Sequence, residues 1–245
     1  MIRTNFQASD LRDLLIIDIE TVSGNANAGE LSPKLYEHWK KKAAIIKNPE
    51  EKSADDLYED RSAVYAEFGK VIVIGMAIFH QMDAERGLRV RSLVSHDEKE
   101  LLTNFKSFIE DKFDQDSLTL CAHNGKEFDF PYLCRRMLVN DIKIPWSLNI
   151  AGKKPWEVNH IDTMELWKFG DWKSFTSLDL LTTIFDITSS KEDMDGSMVS
   201  STYYNEEKGL EKIAAYCERD VIATAQLFMR LNNEPLIGEH AIEIV

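Results

Sequence analysis

Two acidic side chains end the first strongly apolar segment of the chain. Asp18 and Glu20 close the segment LLIIDIE (14–20), which is typical of a buried strand. Side chains two positions apart on a strand project from the same face, so the two carboxylates are expected to lie together. Like charges at that distance repel unless a cation binds between them or one group is protonated. The pair therefore indicates a site for Mg²⁺ or Mn²⁺, although short acidic motifs also arise by chance.

A tyrosine and an aspartate four residues apart occur in the last long apolar-periodic segment, at Tyr216 and Asp220. On a helix this spacing puts both side chains on one face. The flanking residues Ile213, Cys217 and Val221 belong to the apolar stripe, so the pair is expected beside the buried side of the helix. The two interpretations are a packed tyrosine next to the core and a catalytic pair at its edge.

The segment AHNGKEFDFPYL (122–133) carries a third candidate acid, Asp129. Asn124 ends a predicted strand, and Asp129 opens a predicted helix, where the helix dipole favours an anion. The alternative role for Asp129 is a simple helix cap. Lys126 and Phe128 lie beside it, and a cation among aromatic rings suits single-stranded nucleic acid, although such rings also pack in cores.

The elements that must position these residues alternate between strands and helices. Strands are predicted at 14–20, 71–79, 88–94, 117–124 and 158–161, and helices at 95–113, 129–140, 177–185 and 206–232, with a short helix after Asp162. Ser95 with Glu98, and Asp162 with Glu165, have the spacing of helix-capping pairs. The order predicts an α/β fold with a mixed five-stranded sheet, flanking helices and an antiparallel hairpin at one edge.

Residues 24–68 interrupt this order after the first strand and are predicted to form a helical insertion of two or three helices. Its first part is rich in lysine and its second part in acids. One interpretation is a solvated helix pair, and the other is a lysine surface that contacts phosphates. The lysines concerned are Lys34, Lys40, Lys41, Lys42 and Lys47.

Taken together and in order, the three acidic segments resemble the ExoI, ExoII and ExoIII motifs of the DEDD (DnaQ-like) 3′–5′ exonuclease superfamily. LLIIDIET resembles ExoI, AHNGKEFDFPYL resembles ExoII, and YCERD resembles ExoIII. Tyr216 at the ExoIII position indicates the tyrosine subtype. The arrangement of the second motif is most similar to that of the proofreading exonuclease domain of family B DNA polymerases. The resemblance implies an RNase H-like fold and a single exonuclease domain over residues 1–245, a stand-alone relative without a polymerase domain.

The resemblance also implies roles for these residues. Asp18 is expected to bridge two divalent ions, Mg²⁺ or Mn²⁺, while Glu20 and Asp220 complete one ion's ligands and Asp129 supports the other. Tyr216 is expected to orient the attacking water. The residues expected to contact the substrate are Thr21, Asn124, Lys126 and Phe128. The implied reaction is hydrolysis of nucleic acid from a free 3′ end, with release of nucleoside 5′-monophosphates.

Composition limits these expectations only loosely. The net charge of −13 argues against a nucleic-acid substrate, but bound cations would invert the local field at an acidic site. Three cysteines without a CxxC pair and no apolar run of membrane length indicate a reduced cytoplasmic protein with no membrane partner. Single-stranded DNA is the expected substrate. An exoribonuclease on the same fold and a non-catalytic nucleic-acid-binding module are the alternatives, and protein partners are not indicated.

Overall fold

The computed structural model describes residues 11–82, 85–171, 175–188 and 194–245, and its centre is a mixed β-sheet. The described residues form six strands in the order β5-β4-β1-β2-β3-β6. The strands are β1 (Leu14–Ser23), β2 (Gly69–Met82), β3 (Glu85–Val94), β4 (Thr119–Ala122), β5 (Ile161–Asp162) and β6 (Ile242–Ile244). β1 pairs antiparallel with β2 and parallel with β4, so the site-bearing strand is central.

The predicted mixed α/β sheet is confirmed, with one strand more than expected. β2 and β3 form the predicted antiparallel hairpin. The prediction that this hairpin is the sheet edge is wrong, because β6 pairs parallel with β3 outside it. β6 has three residues, too few for an alternating pattern to be recognised in the sequence.

Eight α-helices in the described ranges flank the sheet. They are α1 (Pro33–Ala43), α2 (Ala54–Arg61), α3 (Glu98–Lys112), α4 (Asp129–Val139), α5 (Thr163–Lys168), α6 (Leu178–Ile184), α7 (Val199–Asn205) and α8 (Gly209–Leu231). The long helix predicted at 206–232 begins three residues later and ends one earlier, within the usual uncertainty of helix ends.

Both faces of the sheet are covered, which explains why β1 is almost continuously apolar. On one face, Leu15 and Ile17 of β1 pack in the same core as Phe105 of α3 and Phe130 of α4. On the other face, Leu14 and Ile16 share a core with α8, whose contributions are Val221, Ala225, Phe228 and Met229. Because side chains alternate between the two faces of β1, Asp18 and Glu20 share the face of Leu14 and Ile16, which α8 covers.

The insertion after β1 is helical, as predicted, and contains α1 and α2. Its centre is Trp39, which is fully buried and packs edge-on against Tyr58 at 5.3 Å between ring centroids. The indole Nε1 donates to the carbonyl oxygen of Ala54 at 2.7 Å. The insertion therefore has a small core of its own beside the sheet.

The start of α3 differs from the predicted Ser95–Glu98 capping pair. The helix cap is Asp97, whose carboxylate accepts from the backbone N–H groups of Lys99 and Glu100. Glu98 turns inward instead, and only 8% of it is exposed. Its two oxygens accept from Arg136 at 2.9 and 2.5 Å. One of them also accepts from the backbone N–H of Val71 at 2.7 Å, so the buried charge is compensated.

We expect Arg136→Met to lower the free energy of unfolding by about 3–5 kcal/mol, the usual loss when one partner of a buried ion pair is removed. The substitution would leave the Glu98 carboxylate buried without its cation. It would also remove the bond from Arg136 Nη1 to the carbonyl oxygen of Ala66, which holds the end of the insertion. Urea unfolding gives the measurement, and Arg135→Met, at an exposed neighbouring position, is the control. Equal stability of the two variants would contradict the assignment.

The cysteines agree with the expectation from the sequence, since Cys121, Cys134 and Cys217 are free thiols. Among the helices of the described ranges, none combines the length and the apolar character that a membrane-spanning segment requires.

Candidate active site

Asp18 and Glu20 project from the face of β1 that α8 covers, as their spacing predicts. Asp18 lies opposite Gly75 of β2 and Glu20 opposite Val73, and the pairing register shifts immediately after Glu20. Such an irregularity is common next to active sites, because it re-aims the following side chain. Asp18 is partly exposed, whereas Glu20 is buried with 8% of its surface exposed.

Gly75 allows α8 to lie directly against the two strands that carry the site. A Cβ atom at this position would come within 2.7 Å of Cγ2 of Val221 and 2.8 Å of Sγ of Cys217. Contacts this short do not occur, so any side chain at position 75 would push the helix outward. The absence of a side chain therefore sets how closely Tyr216 and Asp220 approach Asp18.

We expect Gly75→Ala to reduce catalytic turnover at this site by about 10- to 100-fold, since a misplacement of about 1 Å in a catalytic site has this scale of effect. Overpacking should also cost roughly 1–3 kcal/mol of stability. The measurement is kcat of folded protein below its melting temperature. Gly196→Ala is the control, because no atom lies within 4 Å of a Cβ placed there. Unchanged kcat in Gly75→Ala would show that the helix position is not critical.

α8 brings Tyr216 and Asp220 to the two acids of β1. Tyr216 and Asp220 are 5% and 8% exposed, and their side chains are hydrogen-bonded to each other. Burial, then the negative charges of Asp220 and Glu20, raise the pKa of the Tyr216 phenol well above its usual value. The phenol is therefore protonated at neutral pH and acts as a hydrogen-bond donor.

Asp129 joins the cluster from the other side of β1. It is the first residue of α4, 3% exposed, and its Oδ1 accepts from the backbone N–H of Ile19 at 3.1 Å. The predicted helix start is confirmed, although the capping position itself is Phe128. Burial is the main cause that raises the pKa of Asp129 to about 7, with further contributions from Asp162 and Asp220.

The four acids of the three motifs act on one another electrostatically. The pKa of Asp18 is raised well above its usual value by burial and then by Asp220, Glu20 and Asp129. The pKa of Glu20 is raised by burial and then by Asp220 and Asp129. Each carboxylate thus makes the charged form of the others less favourable.

This arrangement fits divalent ions with oxygen ligands. Carboxylate oxygens of Asp18 and Glu20 and the sulfur of Cys217 lie within 4.8 Å of one another. The Cys217 thiol donates to Oδ2 of Asp18 at 3.3 Å, and burial and the neighbouring acids raise its pKa. A protonated thiol orients the carboxylate instead of binding the ion, so the oxygens remain as ligands, which Mg²⁺ and Mn²⁺ prefer.

Asp162 holds the loop between β4 and α4, whereas the sequence predicts only that it caps a helix. Asp162 caps α5, as expected, by accepting from the N–H of Met164 at 2.9 Å. The same carboxylate accepts from the backbone N–H groups of Asn124 at 2.9 Å and Lys126 at 3.1 Å. Asn124 needs this support, because its φ of 64° is in the left-handed region.

The four predicted substrate residues lie around the acids but differ in availability. Thr21 is 8% exposed and follows the register shift between β1 and β2, where Ile72 of β2 is the extra residue. Asn124 carries a buried Oδ1 without a hydrogen-bond partner among the described residues. Lys126 is engaged by Glu165 at 2.7 Å. Phe128 is partly buried and packs against Tyr132, and Phe130 is fully buried core.

A small cleft opens onto these acids. It encloses about 160 Å³ and is lined by Asp18, Tyr216, Asp220, His123, Ser177, Leu178 and Asp179. His123 connects two of its walls, with Nδ1 at 2.9 Å from Oγ1 of Thr163 and Nε2 at 2.9 Å from the carbonyl oxygen of Thr176. The sequence did not predict His123, Ser177, Leu178 or Asp179 as lining residues. The only signals for them were a histidine at the end of a strand and a serine at the start of a helix. A larger depression of about 520 Å³, near Arg230, contains none of the predicted site residues.

The lysines of the insertion are partly occupied within the insertion itself. Lys40 pairs with Glu37 at 2.6 Å, and the Lys42 ammonium lies over the ring of Tyr65 at 4.1 Å from its centroid. Lys34, Lys41 and Lys47 are exposed. Contact of the insertion lysines with phosphates stays a prediction.

Comparisons with known proteins identify the family and the fold. A family model described as a predicted 3′–5′ exonuclease related to the exonuclease domain of PolB matches residues 64–235. Among solved structures, the family B DNA polymerase from the hyperthermophilic archaeon Pyrobaculum calidifontis matches with a TM-score of 0.53 and 15% identity over 89% of this chain. The chain spans 24% of the length of that polymerase, and the likeness shows the fold. No curated protein matches the chain.

Proposed function

Because the chain belongs to the family of predicted 3′–5′ exonucleases related to the exonuclease domain of PolB, we propose that it shortens single-stranded DNA from the 3′ end with two divalent ions. The observation that carries the proposal is the convergence of acids from three distant segments. Asp18 and Glu20 of β1, Asp129 of α4 and Asp220 of α8 influence one another's pKa. Four buried or half-buried acids in one cluster are costly without a bound cation.

The proposed ligands for Mg²⁺ or Mn²⁺ are the carboxylates of Asp18, Glu20, Asp129 and Asp220. Asp18 is the best placed to serve both ions, since it borders the open cleft and is affected by all three other acids. When bound, such ions stabilise the attacking and leaving oxygens of a phosphodiester displacement and lower the pKa of water.

The remaining chemistry belongs to side chains of this protein. Tyr216 lines the cleft with a protonated phenol, so it can hydrogen-bond the attacking water and fix its direction. Cys217 holds the Asp18 carboxylate, and the N–H of Ile19 holds that of Asp129. These bonds reduce the motion of the ligands before the substrate arrives, which is the usual contribution of a preorganised site.

The substrate assignment to single-stranded DNA is supported by the size and surroundings of the cleft. A cleft of about 160 Å³ is far too small for a duplex, so the acids suit the end of a single strand. Phe128 directly precedes Asp129 in the chain and is partly exposed, so its ring is a candidate for contact with the terminal base. The choice of DNA over RNA rests on analogy with polymerase exonuclease domains.

Incubation of the purified protein with Mn²⁺ and labelled oligonucleotides tests the proposal. A 5′-labelled DNA strand should shorten one nucleotide at a time, and a 3′-labelled strand should release labelled mononucleotide from the start. A 3′-phosphorothioate linkage should delay the reaction. Faster degradation of the matched RNA strand would favour the exoribonuclease, and tight binding without cleavage would favour a non-catalytic module. Internal cleavage products would contradict the 3′–5′ polarity.

A further inference from the structure

The loop between α4 and β5 carries an unusual surface for so acidic a chain. Within this loop, residues 140–160, Lys143, Lys153 and Lys154 outnumber Asp141 and Glu157, whereas the whole chain has a net charge of −13. The same loop contains two of the five tryptophans. Trp146 is 63% exposed and Trp156 76% exposed. Since tryptophan is normally well buried, two exposed indoles in one basic loop call for a binding explanation.

The indole of Trp146 is held in place rather than loosely attached. Nε1 of Trp146 donates to Asp116 at 3.1 Å, which fixes the plane of its ring. Between the two tryptophans, Ser147 is buried: its Oγ donates to Gln115 at 2.8 Å, and its carbonyl oxygen accepts from Nε2 of His160 at 3.0 Å. A fixed ring loses little conformational freedom when it binds a ligand, so the loop is preorganised.

Each indole is accompanied by a lysine. The ammonium of Lys153 lies 5.9 Å from the ring centroid of Trp146, and that of Lys154 lies 5.3 Å from the ring centroid of Trp156. The two lysines are adjacent in the chain, so one short segment supplies a cation to each ring. Alternating cations and aromatic faces are what single-stranded nucleic acid requires, with cations for phosphates and rings for bases.

The position of this surface relates it to the cleft. α4 starts at Asp129 in the acidic cluster and has 11 residues, so its far end is about 16 Å away. The loop begins at that far end and returns to β5, whose Asp162 holds the loop beside Asp129. A single nucleic-acid strand bound along this path would extend from the acidic cluster towards the far end of α4.

We propose that Lys143, Trp146, Lys153, Lys154 and Trp156 bind single-stranded nucleic acid away from the cleavage site, with the indoles stacking on bases and the lysines contacting phosphates. The identity of the bound polymer rests on the proposed exonuclease function. The surface would hold the body of a strand while its 3′ end is processed. It differs from the insertion lysines, of which Lys40 is ion-paired.

The indoles are tested by binding without hydrolysis. Affinity for a fluorescein-labelled oligothymidine strand is measured by anisotropy in excess EDTA. Replacing both tryptophans by leucine (Trp146→Leu with Trp156→Leu) should weaken binding at least about tenfold, the scale of one lost base stack. The corresponding double phenylalanine variant keeps an aromatic face and should stay close to wild type. Wild-type affinity of the leucine variant, or equal loss in both variants, would overturn the stacking role.

The lysines are tested by salt dependence. Changing Lys143, Lys153 and Lys154 to glutamine should reduce the slope of log K against log salt by about 2, because each phosphate contact on a single strand contributes roughly 0.7. The control changes three exposed lysines elsewhere, Lys99, Lys112 and Lys208, and should leave the slope unchanged. Equal slopes for the two triple variants would contradict phosphate contact. Equal competition by a blunt duplex, whose base faces are covered, would also count against the proposal.

These experiments distinguish a failure of the exonuclease proposal from a failure of the binding-surface proposal. If the protein cleaves oligonucleotides but the tryptophan variants bind normally, the proposed tryptophan–lysine binding surface is ruled out and the exonuclease proposal stands. If binding depends on the tryptophans but no nucleotide is released with Mn²⁺, the binding surface stands and the exonuclease proposal is ruled out. Cleavage of a dinucleotide, too short to span the length of α4 of about 16 Å, should be unaffected in the leucine variant.

Discussion

We expect Asp18→Asn to lower exonuclease turnover by at least about 1000-fold while the protein stays folded. Asparagine has the same shape as aspartate and keeps an oxygen for the Cys217 thiol. In the wild type this thiol donates to Oδ2 of Asp18 at 3.3 Å. It lacks the charge that a divalent ion needs at the centre of the four acids. Loss of several kcal/mol of metal-derived transition-state stabilisation corresponds to at least this factor.

The same variant should lose the stabilisation that Mg²⁺ or Mn²⁺ gives to the wild type. A ligand at 100 times its Kd adds about 2.7 kcal/mol of stability, which raises the melting temperature by several degrees. Without metal, Asp18→Asn should be at least as stable as wild type, because one of the mutually repelling charges is gone. A full metal-induced shift in Asp18→Asn, or full wild-type activity in excess EDTA, would rule out the proposed centre.

The pH dependence of metal-free stability gives a second measurement on this prediction. The pKa of Asp129 is raised to about 7, above its usual value of 3.8, so the folded state binds more protons than the unfolded state between these values. Stability contributed by the cluster is therefore present below about pH 4 and is lost as the pH rises through 7. In wild type, the metal-induced rise in melting temperature should be larger at pH 8 than at pH 5. In Asp18→Asn, this rise should be small and should hardly change with pH.

Much of the site was predictable because its pairs are local. The two-residue spacing of Asp18 and Glu20 on a strand and the four-residue spacing of Tyr216 and Asp220 on a helix decide which side chains share a face. Each pair was ambiguous alone, and the resemblance to three ordered motifs indicated that they belong together. The family match covers two of these motifs, those of Asp129 and Asp220.

What the sequence did not predict depends on contacts between distant segments. Glu98 had the spacing of a capping partner, yet Arg136, 38 positions later, draws it inward. Lys126 pairs with Glu165, 39 positions away, which its local sequence does not indicate, and its contact with the substrate stays a prediction. The close approach of α8 depends on Gly75, whose importance appears only when β2 and α8 are in contact. Such long-range choices are decided by tertiary packing and leave no periodic signal.

Tyr216→Phe should lower kcat by about 10- to 1000-fold, the range for one oriented hydrogen bond lost from a transition state. Phenylalanine keeps the ring in its buried position, where 5% is exposed, and removes only the hydroxyl. Since the pKa of this phenol is raised by burial and by neighbouring acids, it does not act as a base near neutrality. We therefore expect its contribution to be the orientation of the attacking water.

The comparison with Asp220→Asn separates the two roles on α8. Asp220→Asn should lose both metal-induced stabilisation and activity, whereas Tyr216→Phe should lose activity and keep the metal-induced shift. Tyr58→Phe is a control for the loss of a buried hydroxyl, because Tyr58 accepts from the N–H of Asn25 within the insertion. It should reduce stability without changing kcat. Wild-type kcat in Tyr216→Phe would make the tyrosine a packing residue. Equal loss of metal binding in both α8 variants would mean that Tyr216 supports the ions themselves.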